Sequence, residues 1–374
     1  NVLESEDVIS AIKCLRKLGV TIRKKKGRYF IYGKGLGSLT LKKDAVLNFG
    51  NSGTLARLLI GILSTTPDIQ VNIKGDHSLN KRSMKKLIEL MSSFGAIFLP
   101  KKKYTFPLKL ISTALPICIK YKAHESAQLK SAVILAALNA HGRTEIIEQI
   151  KSRDHTENML LENSHLIKIK KLKKKTINVI GKKFLKPIHI KVSGDPSSAA
   201  FFIALTILNK NSSLKIKNVG LNPTRTGFYD LLRKHGVKIK FDNLKKECGE
   251  LKGDIIVKSC KIKPIKAPGY FYSRMVDEYP ILFVIAALTK GISVFNNVSG
   301  LKSKESNRIT EMQKVLKQIG VKTVLSKNQL KIFGKDVINA TNKKIQIPNL
   351  GDHRICMSSF VLACITGAKA YIKN

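Results

Sequence analysis

Apolar residues along the chain keep two rhythms. In the first, Ile309, Met312, Leu316 and Ile319 recur at helical spacing and Gly320 follows at once. That pattern predicts an amphipathic helix closed by a left-handed residue. The same ending recurs at Leu18-Gly19, Phe94-Gly95 and His235-Gly236, whereas the unit around residue 165 lacks its glycine. In the second rhythm, a run that is apolar nearly throughout follows a polar start. These starts are Asn51-Ser52-Gly53-Thr54, Ser126-Ala127-Gln128, Asp195-Pro196-Ser197-Ser198, Asp277-Glu278-Tyr279-Pro280 and Asp352-His353-Arg354. They stand roughly 70–80 residues apart, regular enough to be an internal repeat. Between the helices, residues 69–73, 117–121, 188–192, 214–216, 255–257, 321–323 and 330–332 are β-branched, and most alternate with polar residues. They read as half-buried strands.

Each unit is therefore strands plus two helices, and the chain is α/β. It holds about five such units and part of another at its N-terminal end. A division near Ser193-Gly194 splits them into two similar domains, 1–193 and 194–374. No Pro/Gly/Ser-rich linker marks the boundary. The first residues already read as the interior of a unit, which predicts further sequence before Asn1.

Composition changes this picture little. At 374 residues and 43% hydrophobic, the chain can bury two or three cores. No apolar run reaches the roughly 18–20 residues that span a bilayer. A formal charge of +43 suggests a nucleic-acid binder at first. Yet lysine is spread along the whole chain, and its runs at 24–26, 101–103 and 173–175 fall in turn-like places. Tryptophan is absent, so base-stacking platforms are poorly represented. Arginine behaves differently, for Arg57, Arg82, Arg153, Arg225, Arg308 and Arg354 sit in motif-like segments. Its forked guanidinium suits phosphate and carboxylate. The six cysteines form no Cys-x-x-Cys pair and no metal spacing, which fits a reducing cytoplasm and no metal site.

Each candidate motif has a bland alternative. Lys304-Glu305-Ser306-Asn307-Arg308 reads as the first turn of a helix, with two cations and an acid able to carry a proton. Taken alone, it reads first as a surface helix start with Ser306 as the cap and solvated charges. Gly50-Asn51-Ser52-Gly53-Thr54 with Arg57 is an anion-binding turn or a plain N-cap. Asp76-His77-Ser78-Leu79-Asn80-Lys81-Arg82 offers another arginine at a helix start, against a solvated cap. Ser126, Gln128 and Lys130 suit hydroxyls and phosphate, against a serine cap. Ser152-Arg153-Asp154-His155-Thr156-Glu157 is an unbroken polar run. Asp277-Glu278 is by default a pair of capping acids. The markers of P-loops, dinucleotide folds, zinc proteases and serine hydrolases are all missing. What weighs against chance is placement at successive helix starts, which would let several dipoles converge on an anionic ligand pair in a shared cleft.

Taken together, Gly50-Asn51-Ser52-Gly53-Thr54-x-x-Arg57, Ser126-Ala127-Gln128-x-Lys130-Ser131, Ser152-Arg153-Asp154-His155-Thr156-Glu157, Gly194-Asp195-Pro196-Ser197-Ser198-Ala199, Asn222-Pro223-Thr224-Arg225, Lys304-Glu305-Ser306-x-Arg308 and Asp352-His353-Arg354 resemble the motif set of the 5-enolpyruvylshikimate-3-phosphate (EPSP) synthase family. The related UDP-N-acetylglucosamine enolpyruvyl transferases share the fold but not the Ser-Arg-Asp-His-Thr or Lys-Glu-Ser-x-Arg runs.

The resemblance implies two domains of βαβαββ units, the inside-out α/β barrel-like fold of enolpyruvyl transferases. They would close around shikimate 3-phosphate and phosphoenolpyruvate. It implies that Asp277 orients or deprotonates the 5-hydroxyl, with Lys304 beside it, and that Glu305 handles the proton at C3. Arg82, Arg308 and Arg354 would clamp phosphoenolpyruvate, aided by Asn51, Gly53, Thr54, Arg57 and Gln128. Ser126, Ala127, Gln128, Arg153, Asp277 and Lys304 would hold shikimate 3-phosphate, with Asp352 and His353 in support. No metal or organic cofactor, nucleic acid or membrane is implied, and a cytoplasmic monomer is expected. The family's first segment and its C-terminal end have no counterpart here, so the chain is expected to be a poorly active fragment. Glyphosate sensitivity stays open, because Gly53 and the Arg153 run point opposite ways. A basic nucleic-acid binder is the competing reading.

Overall fold

The computed structural model describes residues 2–42, 45–171, 174–347 and 351–372. The chain forms two compact units, Asn1–Val192 and Ser193–Asn374, each with its own hydrophobic core.

One module recurs in both. In the first unit, Val46–Asn48 pairs in parallel with Gln70–Lys74, which pairs antiparallel with Leu108–Ile111, and that in turn with Ile97–Leu99. Helix Gly53–Ser64 connects the parallel pair, and helix Lys85–Ser93 leads to the third strand. The order repeats with Lys120–Ala123, Arg143–Glu148, Lys175–Ile180 and Ile167–Lys171, joined by helices Ala127–Ala137 and His155–Leu160.

In the second unit, Lys266–Ala267, Gly291–Asn296, Gln329–Gly334 and Lys322–Ser326 repeat it again, around helices Tyr279–Ala287 and Arg308–Gln318. A further copy, with helices Pro196–Leu208 and Gly227–Lys234, has shrunk its first strand to the single parallel bridge Gly194↔Val219 beside the sheet Ser213–Gly220, Glu250–Lys258, Ile239–Glu247. The first described elements are the second half of a module, helix Glu6–Lys17 and hairpin Thr21–Lys25/Arg28–Tyr32. The last are a first half, Lys344–Ile347, helix His353–Thr366 and Lys369–Ile372. The βαβαββ reading thus holds. The repeat count comes out as four modules with a half-module at each end of the described chain, where five and one part were expected.

The two helix types have different jobs. The first helix of each module is apolar nearly throughout and therefore belongs inside a core. All nine residues of Tyr279–Ala287 are buried. In the second unit, helices Pro196–Leu208, Tyr279–Ala287 and His353–Thr366 pack on one another. In the first, Gly61 brings its helix against Ala132 so closely that a Cβ would stand 2.6 Å from that carbonyl oxygen.

Helices of the second type are amphipathic and end alike. Gly19, Gly95, Gly236 and Gly320 all have φ between 75° and 110°. In each case the next residue's N–H reaches back five positions in the Schellman pattern: Val20 to Leu15, Ala96 to Met91, Val237 to Leu232 and Val321 to Leu316. The helix without the glycine ends instead in a 3₁₀ turn, Leu161–Asn163.

One expected strand does not form. Residues 188–192 carry strand-like alternation, but Ile188, Ile190 and Val192 are 38–50% exposed and pair with no strand among the described residues. Alternation specifies a face; without a neighbouring edge there is no ladder to join.

At Gly320 an added Cβ would meet only the Lys335 amine, 4.0 Å away. Gly320→Ala should therefore isolate the cost of the left-handed conformation, about 1 kcal/mol. Urea unfolding measures it, and an unchanged midpoint would show that this turn carries no strain.

Candidate active site

In the first unit the polar residues at two core-helix starts converge. Ser52 and Ser126 are N-caps, accepting the N–H of Leu55 at 3.2 Å and of Leu129 at 3.3 Å. The bland reading of both serines is thus correct, and it leaves each hydroxyl proton free to donate elsewhere. One residue into the helices, Gln128 Nε2 donates to Thr54 Oγ1 at 2.7 Å, so the two N-termini face one another. Arg57 folds back to donate to the Gly53 carbonyl at 2.9 Å.

Arg82 is at the C-cap of helix His77–Lys81, not at a helix start, because Asp76 takes the cap and the five-residue helix is already over. Its Nη2 donates to Asn51 Oδ1 at 2.6 Å and Ser78 Oγ at 3.3 Å. A Cβ on Gly53 would lie 2.8 Å from Arg57 Nη1 and 3.3 Å from Arg82 Nη1. Two guanidinium groups therefore overhang one glycine, and Arg82 makes no ion pair among the described residues. Like charges so placed favour an anion between them.

Ala127 opens the helix that Ser126 caps, and Arg153 is half-buried just before helix His155–Leu160. Lys130 is not available to any ligand. Its side chain is fully buried, with Nζ 2.7 Å from Glu148 Oε1 and 2.8 Å from Glu157 Oε1. The sequence pattern could not show this, because its acid partners lie 18 and 27 residues away.

In the second unit the centre is Arg308, which is 1% exposed. Its Nε and Nη2 grip both oxygens of Asp352 at 2.9 and 3.3 Å. Nη2 also donates to Glu305 Oε2 at 2.6 Å, and Nη1 reaches Asp277 Oδ1 at 3.5 Å. Ser306 donates to Asp352 at 3.0 Å. Burial alone would raise the Asp352 carboxyl, but Arg308 outweighs it and holds the group below the ordinary carboxylate range.

This geometry corrects two expectations. The helix begins at Arg308 with Asn307 as its cap, accepting the Thr310 N–H at 3.3 Å. Lys304 and Glu305 thus precede the first turn, in the segment after the 3₁₀ helix Ser299–Ser303. Asp277 and Glu278 do not cap their helix either. Glu278 occupies the N-cap position without a side-chain cap bond, and its buried carboxylate accepts from Ser197 Oγ instead.

The three core-helix starts of this unit also meet. Asp195 caps its helix and holds Arg225 at 2.8 Å, with Arg354 Nη2 at 3.7 Å. Arg225 in turn donates to Ser197 Oγ at 2.7 Å. Burial pushes the Asp195 carboxyl up, but Arg225 and Arg354 together bring it below its usual range. Partial burial, then Arg354, lowers the His353 imidazole pKa. The resemblance gives neither Asp195 nor Arg225 a substrate role. The Asp195–Arg354 contact spans 159 residues of sequence and has no local signal.

A family model for EPSP synthase (3-phosphoshikimate 1-carboxyvinyltransferase) matches residues 1–374. The chain belongs to the EPSP synthase family.

It is 38% identical to the 3-phosphoshikimate 1-carboxyvinyltransferase of Zymomonas mobilis, over 97% of this chain and 81% of that one. The Bacillus subtilis enzyme of the same name is 36% identical over 98% and 84%. Among solved structures, EPSP synthase from Acinetobacter baumannii superposes with a TM-score of 0.81 at 32% identity, covering 98% of this chain and 82% of that one. The enolpyruvyl transferase NikO from Streptomyces tendae, at TM-score 0.70 and 13% identity over 99% and 83%, shares the fold. The expectation of missing ends gains no support from these matches. No helix among the described residues is long and apolar enough to cross a membrane.

Asp352 is the family motif acid whose removal is most readable. Asp352→Asn takes from Arg308 its fully buried counter-charge and leaves it only the part-exposed Glu305 and Asp277, which should cost about 3 kcal/mol at neutral pH. A carboxyl depressed on folding contributes stability above its unfolded value near 3.9 and loses it as pH falls through the folded value. The wild-type chain should therefore lose stability below about pH 4 and the variant less steeply. Denaturant midpoints from pH 7 to pH 3 test this, and parallel curves would remove Asp352 from the account.

Proposed function

We propose that the chain transfers the enolpyruvyl group of phosphoenolpyruvate to the 5-hydroxyl of shikimate 3-phosphate and releases phosphate, the activity its family is named for. The observation that carries the residue assignment is the Arg308 guanidinium, which holds Glu305 at 2.6 Å and Asp277 at 3.5 Å. One buried cation thus fixes two acids whose side chains remain 30% and 22% exposed.

In the reading this supports, Asp277 orients the 5-hydroxyl and takes its proton, with Lys304 beside it. The hydroxyl oxygen bonds to C2 of phosphoenolpyruvate while Glu305 delivers a proton to C3. In the second half, C3 returns a proton and the bond from C2 to the phosphate oxygen breaks, which restores the double bond. Arg82, Arg308 and Arg354 hold phosphoenolpyruvate, helped by Asn51, Gly53, Thr54, Arg57 and Gln128. For Arg308 and Arg354 this requires the substrate to share or displace carboxylates now in contact, Asp277 and Glu305 at Arg308 and Asp195 at Arg354. Ser126, Ala127, Gln128, Arg153, Asp277 and Lys304 hold shikimate 3-phosphate. Fixed cations placed where charge develops are often the largest single contribution to the rate. We further propose a cytoplasmic monomer that engages these small molecules and not nucleic acid.

Glu305→Gln and Asp277→Ala should each lower kcat by about 10²–10⁴ while shikimate 3-phosphate still binds in a titration. Normal phosphate release by either variant would refute its role. Gly53→Ala should raise KM for phosphoenolpyruvate and leave the unfolding midpoint nearly unchanged, since the added methyl meets two movable guanidinium ends. An unaltered KM would separate Gly53 from the anion site.

A further inference from the structure

The first unit buries a charged square that the proposed chemistry does not use. Lys130 lies between Glu148 and Glu157, and Lys175 closes the figure at 3.5 Å from Glu148 Oε2 and 3.1 Å from Glu157 Oε1. Two ammonium groups and two carboxylates cancel. Burial alone would raise the Glu148 carboxyl, yet Lys130 brings it below its ordinary value. The square ties together four elements: the helix that starts at Ala127, the end of strand Arg143–Glu148, helix His155–Leu160 and the start of strand Lys175–Ile180. Ser131 Oγ and Thr156 Oγ1, 2.7 Å apart, join the same two helices a second time.

Comparison among the modules shows that the fold does not need these charges. Lys130 is the fourth residue after its N-cap, Ser126. At the matching place after Ser52, Asp195, Glu278 and Asp352 stand Ala56, Ala199, Leu282 and Cys356. Four copies fill that position with an apolar or small side chain. Only this copy spends a lysine there, and ion pairs so buried are seldom retained for stability alone.

What the square reaches is the polar loop. Glu148 Oε1 accepts both the N–H and the Oγ of Ser152 at 3.0 Å, and Ser152 immediately precedes Arg153. We infer that Glu148, held by Lys130, is a positioning residue: it fixes the Arg153 loop relative to the helix start that carries Ser126 and Gln128, and so sets affinity for shikimate 3-phosphate. This rests on the proposed role of Arg153.

The test is a double-mutant cycle read as KM for each substrate. Glu148→Gln, which keeps size but loses the charge, should raise KM for shikimate 3-phosphate at least about fivefold and change KM for phosphoenolpyruvate less than about twofold. In an Arg153→Ala background the same substitution should add less than about twofold. An equal effect in both backgrounds, or none in the first, would overturn the inference. Arg153→Ala alone tests the underlying role; if it leaves KM for shikimate 3-phosphate unchanged, that role and this inference fall together. Should Glu148→Gln not fold, Ser152→Ala removes only the hydroxyl bond and should still raise that KM about twofold. No change there would overturn the inference as well.

Discussion

The second unit depends on one buried guanidinium. A charge removed from water is costly unless it is paired and its donors are satisfied. Arg308 meets both conditions by gathering Asp352, Glu305 and Asp277 from three separate segments. The chain has only 25 acidic residues against 68 basic ones, and three of the 25 surround this single side chain. In so lysine-rich a molecule, loose surface pairing would dilute the acids. Burial concentrates them, and these three acids inherit fixed positions from a buried cation.

Much of the architecture was legible because it rests on local rules. The glycines at 19, 95, 236 and 320 announce left-handed helix ends, and all four adopt them. Apolar runs such as Tyr279–Ala287 announce core helices. The failures share one cause, which is dependence on a distant partner. Residues 188–192 alternate properly yet have no edge to join. Asp277-Glu278 looks like a capping pair, but Ser197, some 80 residues earlier, offers Glu278 a buried hydroxyl. Ser306 looks like the cap of its helix, but Asn307 is the cap and the Ser306 hydroxyl donates to Asp352, 46 residues on.

The candidate site was legible as a set of residues and not as a set of contacts. Helix starts were expected to share one cleft; within each unit they do meet, as the Thr54–Gln128 bond and the Arg354–Asp195 pair show. Which residues touch was hidden. Arg82 reaches back 31 residues to Asn51, and Lys130 turns from the helix start into a buried square. Helix periodicity gives a side chain's face but not what stands opposite it. Charged residues are the hardest to place this way, because a lysine looks the same in a sequence whether it is solvated or enclosed.

Repetition explains how one module serves opposite electrostatic ends. Every core helix presents unpaired N–H groups at its start, a field that favours anions. In the first unit the residues added to that field are cationic, Arg57 and Arg82 over a side-chain-free Gly53, and the result is a surplus of positive charge suited to phosphate and carboxylate. In the second unit three acids converge on Arg308, and carboxylates outnumber cations in those ion pairs, an arrangement suited to moving protons. Where neither surplus is wanted, as around Lys130, opposite charges are matched and sealed. The backbone is shared by all three arrangements, so the chemistry must reside in which side chains follow each cap.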